Sequence, residues 1–371
     1  MESKKGKKTL YFHIGKFKTG STSIQNFLYL NREVLESRGV CYPDISGSQV
    51  KRFINGRSLF RFLSNGNMNK AKKLIQKAVK EANAQSCSNI LISNECFSRR
   101  AVMQNPDFSF DNLSAENIGN LFSAFDLEVK VVIYIRPFVE YVVSFWNTEI
   151  LKSATGLGLE EYIDLYHYED ELDQIYEYGR VFGNENIILR PFEREQLKNS
   201  DLMEDFLDCL GLELDDDFEI PDNTNESFDR STLELLGMVN ALKLDKYFRR
   251  KLYAGVIARR DRSQPKPIET LSDELIDGLS NKYRETERAV ARDFLNREFL
   301  FMSTYPKCYG RERSSYCGLS STQVQELLMD VARLAKAMYP ALAEEGGGHF
   351  VRRMLKHLNK RRLLKAGGRN G

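Results

Sequence analysis

The chain has 371 residues, 42% of them hydrophobic and 29% charged, which supports a packed core and excludes wholesale disorder. Its 54 Lys and Arg against 52 Asp and Glu leave a formal net charge of +2, so nothing global points to nucleic acid, and any anion site has to be built locally. Cys41, Cys87, Cys96, Cys209, Cys308 and Cys317 are scattered, without a CxxC pair or a histidine at metal-ligand spacing; free, mostly buried thiols in a reducing compartment and no metal site are expected.

The N-terminus, MESKKGKKTLYF, is basic but lacks the apolar stretch of a signal peptide, and no run approaches the ~18 apolar residues of a membrane span. Residues 9–14 are rich in β-branched and aromatic side chains and read as a first buried strand. Ile24, Phe27, Leu28 and Leu35 then recur at helical spacing, with Gly39 as the stop. A more polar helix is predicted over 70–84, followed by strands at 89–93, 129–135 and 186–190. Strands alternating with helices predict an α/β fold, a P-loop-like parallel sheet covered by helices on both faces. Beyond about residue 195 the strand signal fades. Helical patterns at 201–210, 231–244, 272–300 and 322–338 predict a mainly helical C-terminal region. The expected division is a core at 1–215, a helical part of the same domain at 216–345, and a basic tail at 346–371. That tail carries Arg352, Arg353, Lys356, Lys360, Arg361, Arg362, Lys365 and Arg369 with no acid. A basic amphipathic helix on anionic lipid and an ordinary solvated tail are both open readings.

The segment with most chemistry joins the first strand to the first helix: His13-Ile14-Gly15-Lys16-Phe17-Lys18-Thr19-Gly20-Ser21-Thr22-Ser23. A loop in that place aims backbone N–H groups at an anion above the helix N-terminus. Gly15 and Gly20 have the separation of a nucleoside-triphosphate loop, but that loop needs lysine directly after the second glycine, and here Ser21 stands there. The lysine is Lys18, inside the loop, placed to neutralise one phosphate as charge develops on it; the hydroxyls of Thr19, Ser21, Thr22 and Ser23 add neutral donors. The strand at 129–135 runs into Arg136, and Ser144 follows eight residues later. An arginine at a strand end offers planar phosphate recognition. The strand at 89–93 ends in Asn94-Glu95, a carboxylate at the same edge and a candidate proton acceptor; the plain alternative pairs it with Arg99 or Arg100. His13, inside the first strand, reads as a packed core histidine. Lys18, Glu95 and Arg136 thus each lie just past the carboxyl end of a predicted parallel strand, where open α/β sheets bind ligands.

These residues resemble the PAPS-dependent sulfotransferase family. Its bacterial and carbohydrate-type members open with a comparable H-I-G-x-x-K-T-G-[ST]-T, and its 3′-phosphate motif has the form of Arg136 followed by Ser144. The likeness covers about residues 9–215, and it departs at Lys16-Phe17, where many relatives have Pro-His. It implies a donor, PAPS (3′-phosphoadenosine 5′-phosphosulfate), with no required metal. Lys18, Thr19, Gly20, Ser21, Thr22 and Ser23 would hold the 5′-phosphosulfate, Arg136 and Ser144 the 3′-phosphate, and Glu95 would be the base. Arg311 and Arg313 are further candidates to close over the nucleotide. The partners it implies are this nucleotide donor and a carbohydrate or glycolipid acceptor, in a cytoplasmic enzyme with a peripheral inner-membrane contact through the basic tail as one option. Aromatic residues between Tyr141 and Tyr178 (Phe145, Trp146, Tyr162, Tyr166, Tyr168, Tyr176) read either as sugar-stacking rings or as core. Two other classes stay open: a P-loop kinase using Glu95 or Asp126 for Mg²⁺, and a non-catalytic nucleotide-binding protein.

Overall fold

The structure, a computed structural model, describes residues 7–47, 53–98, 110–166, 169–221, 228–302 and 316–338. In chain order it runs β1 (Lys8–His13), α1 (Ser21–Leu30), α2 (Arg32–Ser37), β2 (Val40–Cys41), α3 (Arg57–Ser64), α4 (Met68–Ala84), β3 (Asn89–Ser93), α5 (Ala115–Phe122), β4 (Leu127–Ile135) and α6 (Phe138–Thr148). It continues through α7 (Leu159–Asp164), α8 (Glu169–Phe182), β5 (Ile187–Pro191), α9 (Leu202–Cys209), α10 (Arg230–Ala241), α11 (Lys246–Ala258), α12 (Asp273–Leu295) and α13 (Ser321–Met338). The strands expected from the sequence are all present, and β2 is added, a two-residue edge strand too short to carry a period. The helix expected between Ile24 and Gly39 is two helices. Asn31 divides them because its side chain is committed to the segment at 219, donating to the Glu219 carbonyl at 2.8 Å and accepting from its N–H at 2.7 Å.

The five strands form one all-parallel sheet in the order β2-β3-β1-β4-β5. β1, β3 and β4 are buried over most of their length, as parallel strands covered on both faces have to be. Alternation divides their side chains. Tyr11, Leu91, Val132 and Tyr134 pack with α1, α2 and α9 in one hydrophobic cluster. On the other face Phe12 meets Phe97 at 4.8 Å and Phe122 of α5 at 5.2 Å between ring centroids, and α4 and α8 lie against β3 and β4. The register pairs His13 with Ser93 and with Val132, so β1 and β3 end level while β4 runs on past them to Ile135.

The described residues fall into two compact units, one drawn from 1–142, 166–225 and 272–307, the other from 143–165, 226–271 and 308–371. The first holds the sheet. The second, all helical among its described residues, is built around Arg230, which is 1% exposed. Arg230 donates to Glu160 and Glu234 at 2.8 Å each and lies beside the rings of Trp146 and Tyr316; a buried guanidinium needs partners of this kind. Cys41, Cys87, Cys96, Cys209 and Cys317 are free thiols, the first two and Cys209 buried. No helix among the described residues is long and apolar enough to cross a membrane. The basic tail, Cys308, Arg311, Arg313, Arg99, Arg100 and Tyr168 lie outside the described residues.

Candidate active site at the carboxyl edge of the sheet

The loop between β1 and α1 takes its shape from three left-handed residues, Gly15 (φ +43°), Lys18 (φ +67°) and Gly20 (φ +75°). Lysine in that region is strained by about 1–3 kcal/mol, and the loop is tied down accordingly. The Thr19 hydroxyl donates to the Lys16 carbonyl at 2.6 Å. Lys16, 3% exposed, donates from Nζ to Gln174 Oε1 of α8 at 2.7 Å, and Gln174 donates in turn to the Phe97 carbonyl beyond β3 at 3.1 Å. The left-handed backbone calls for glycine at position 20, and a Cβ there would also press on the Leu202 tip and come 3.3 Å from Phe192 Cε2. Gly20 caps α1 with no side-chain hydrogen bond, and the first turn holds no acid. Its first backbone donors are therefore without a side-chain acceptor, an arrangement that suits an anion. Ser21 is buried, Ser23 half-buried and Thr22 exposed.

Strand order decides where such an anion position falls. The chain leaves β1 toward the β2 edge of the sheet and leaves β4 toward the β5 edge, so these two neighbours form the switch point at which open α/β sheets bind ligands. Lys18 follows β1 there and Arg136 follows β4. Arg136 Nη1 donates to the Lys18 carbonyl at 3.2 Å, so the guanidinium braces the loop directly. Its Nε and Nη2 both reach Glu140 Oε2, at 3.0 and 2.9 Å, and its charge lies 5.6 Å from the centre of the Phe192 ring. Arg136 is thus a partly buried, fixed cation, not a loose surface arginine. Ser144 stands half-buried on α6, in the half of that helix that belongs to the second unit.

Glu95 opens a short 3₁₀ turn directly after β3, half-buried. Its Oε2 accepts from Gln25 Nε2 of α1 at 2.7 Å. The same amide reaches Ser93 Oγ at 3.3 Å, and Ser93 Oγ is 2.8 Å from His13 Nδ1. His13 is fully buried and burial pushes its pKa down to about 3, so it stays neutral, the core histidine expected from its place in β1.

Lys18, Arg136 and Glu95 therefore each follow one of three adjacent strands at the carboxyl edge of the sheet in the first unit. The rings between Tyr141 and Tyr178 turn inward: Tyr141, Phe145, Trp146, Tyr162, Tyr166 and Tyr178 are buried, and Tyr176 is bonded to Asp293. Burial makes those six core, unavailable as a platform for sugars, while Tyr176 is half-buried. Asp126, the other carboxylate weighed for Mg²⁺, precedes β4 at the amino end of the sheet, beside Lys7. Sequence reading missed Lys16, Gln25, Glu140 and Gln174. One signal was present for Gln25: it interrupts the apolar stripe of Ile24, Phe27 and Leu28 on a buried helix face, where an amide needs a reason.

No family profile and no curated protein matches the sequence. A solved structure, a sulfotransferase from Alicyclobacillus acidocaldarius, is similar over 79% of this chain and 97% of that chain, at 13% sequence identity and a TM-score of 0.41.

Proposed function

We propose that this protein is a sulfotransferase that takes a sulfuryl group from PAPS and places it on a hydroxyl or amine. The observation that carries the reading is the brace between Arg136 and the Lys18 carbonyl, which joins a one-lysine anion loop to a second cation at the switch point of the sheet. A donor with two separated phosphate groups needs two such positions. The loop N–H groups with Lys18, Thr19, Gly20, Ser21, Thr22 and Ser23 hold the 5′-phosphosulfate, and Arg136 receives the 3′-phosphate. The acceptor oxygen or nitrogen attacks sulfur in line, the bond from sulfur to the 5′-phosphate oxygen breaks, and Lys18 stabilises the charge left on that phosphate. Glu95 takes the acceptor proton. The products are the 3′,5′-bisphosphate PAP and the sulfated acceptor. The acceptor class, a carbohydrate or glycolipid, rests on the likeness of Ser93-Asn94-Glu95 to carbohydrate-type members. A kinase reading draws no support from Ser21 in place of the triphosphate lysine or from Asp126 at the far edge of the sheet.

Calorimetric titration with PAP and with ATP·Mg²⁺ tests this on the wild type, Lys18→Ala and Arg136→Lys. Lysine is chosen at 136 because alanine would strand the buried Glu140 carboxylate and disturb the fold. Metal-independent PAP binding, weakened at least tenfold in each variant, is expected; ATP·Mg²⁺ binding with indifference to PAP would sink the reading.

A further inference from the structure

Gln25 is fully buried, in the second turn of the helix whose N-terminus forms the anion loop. Its amide is split unequally. Nε2 donates to Glu95 Oε2 at 2.7 Å and lies 3.3 Å from Ser93 Oγ, while Oε1 is buried with no hydrogen-bond partner. A buried amide oxygen left unpaired is costly, and turning the amide over would move that oxygen toward the neighbouring groups. The turned form would, however, set Oε1 against a carboxyl oxygen, acceptor against acceptor. The observed orientation gives Glu95 Oε2 a donor and keeps the orphaned oxygen on the far side of the amide. Supporting groups fix the geometry: Ser93 Oγ is also bonded to His13 Nδ1 at 2.8 Å, and Asn94 is anchored by its N–H to the His13 carbonyl at 3.0 Å.

We infer that Gln25 is a positioning residue for the base: it occupies Oε2 of Glu95, so that Oε1 is the oxygen that takes the acceptor proton. The inference rests on the sulfotransferase reading for what the base does, but the hydrogen bond exists without it.

The test is NMR of the full-length protein at one pH, with ¹³C at the glutamate carboxyls and ¹⁵N in the glutamine amides; Glu95→Gln and Gln25→Met identify the two resonances. Gln25→Met keeps the bulk and removes the donor. The Glu95 carboxyl resonance is expected to shift in Gln25→Met, and the Gln25 amide resonance in Glu95→Gln. Either resonance unmoved, with thermal unfolding still cooperative, overturns the inference and leaves Gln25 a packing residue. PAP titration of the same samples separates the two readings. Failure of the donor reading appears as absent PAP binding with the carboxyl shift intact; failure of this one appears as PAP binding with the shift absent.

Discussion

His13 shows what a single residue costs and secures in this site. It sits at the end of β1 with Nδ1 on Ser93, and its ring meets Tyr134 and Phe206 edge-on. A Cβ on Gly15 would stand 3.0 Å from its Nε2, so the ring also shapes the start of the loop. With the folded pKa pushed down to about 3, the unfolded chain binds a proton below pH 6.5 that the folded chain refuses. Stability therefore falls as pH drops from about 6.5 toward 3. Between pH 7 and pH 5 the wild type is expected to lose about 2 kcal/mol more than His13→Gln, read from urea unfolding at the two pH values. Equal losses would show that the ring is solvated in the folded state.

At the scale of elements, the site is assembled by tying loops to helices that the strands do not reach. Lys16 ties the β1 loop to α8, Arg136 ties it to the end of β4, and Gln25 ties α1 to the turn after β3. The β5 end is tied differently. Glu193, just past β5, accepts from the Met302 N–H at 2.8 Å, and burial, with Glu193 adding to it, pushes the Glu287 carboxyl of α12 up to about 8. Here the folded state keeps a proton that the unfolded chain loses above about pH 4.5. The stability it contributes is present at low pH and is lost as pH rises toward 8. Glu287→Gln removes that loss, and at pH 8 it is expected to be more stable than the wild type by about 3 kcal/mol. Denaturant unfolding at pH 5 and pH 8 measures it; a variant no better at pH 8 would mean that Glu287 reaches water.

At the scale of the whole molecule, the proposed function combined with a net charge of +2 would leave attraction for a polyanionic nucleotide to the few cations at the sheet edge. PAP affinity should thus fall several-fold between ~50 and ~500 mM NaCl, and the slope should flatten in Lys18→Ala. A salt-independent affinity would remove Coulomb attraction from the account. The parallel α/β architecture was legible from the sequence because its strands are buried on both faces and read as unbroken apolar runs, and because helical periods separate them. The loop was legible because glycines, hydroxyls and a lysine between a strand and a helix have few other uses. Amino-acid sequence alone thus determined the class of fold and put Lys18, Glu95 and Arg136 forward as the residues to examine at one edge of the sheet. Tertiary structure decided the rest. Only the strand order puts β1 and β4 side by side at the switch point, and only packing shows that Arg136 is shared with Glu140, that the aromatic run is core, and that Gln25 grips Glu95. Each of these is a contact between residues far apart in the chain, set by which faces bury against each other, and no local pattern records such a pairing.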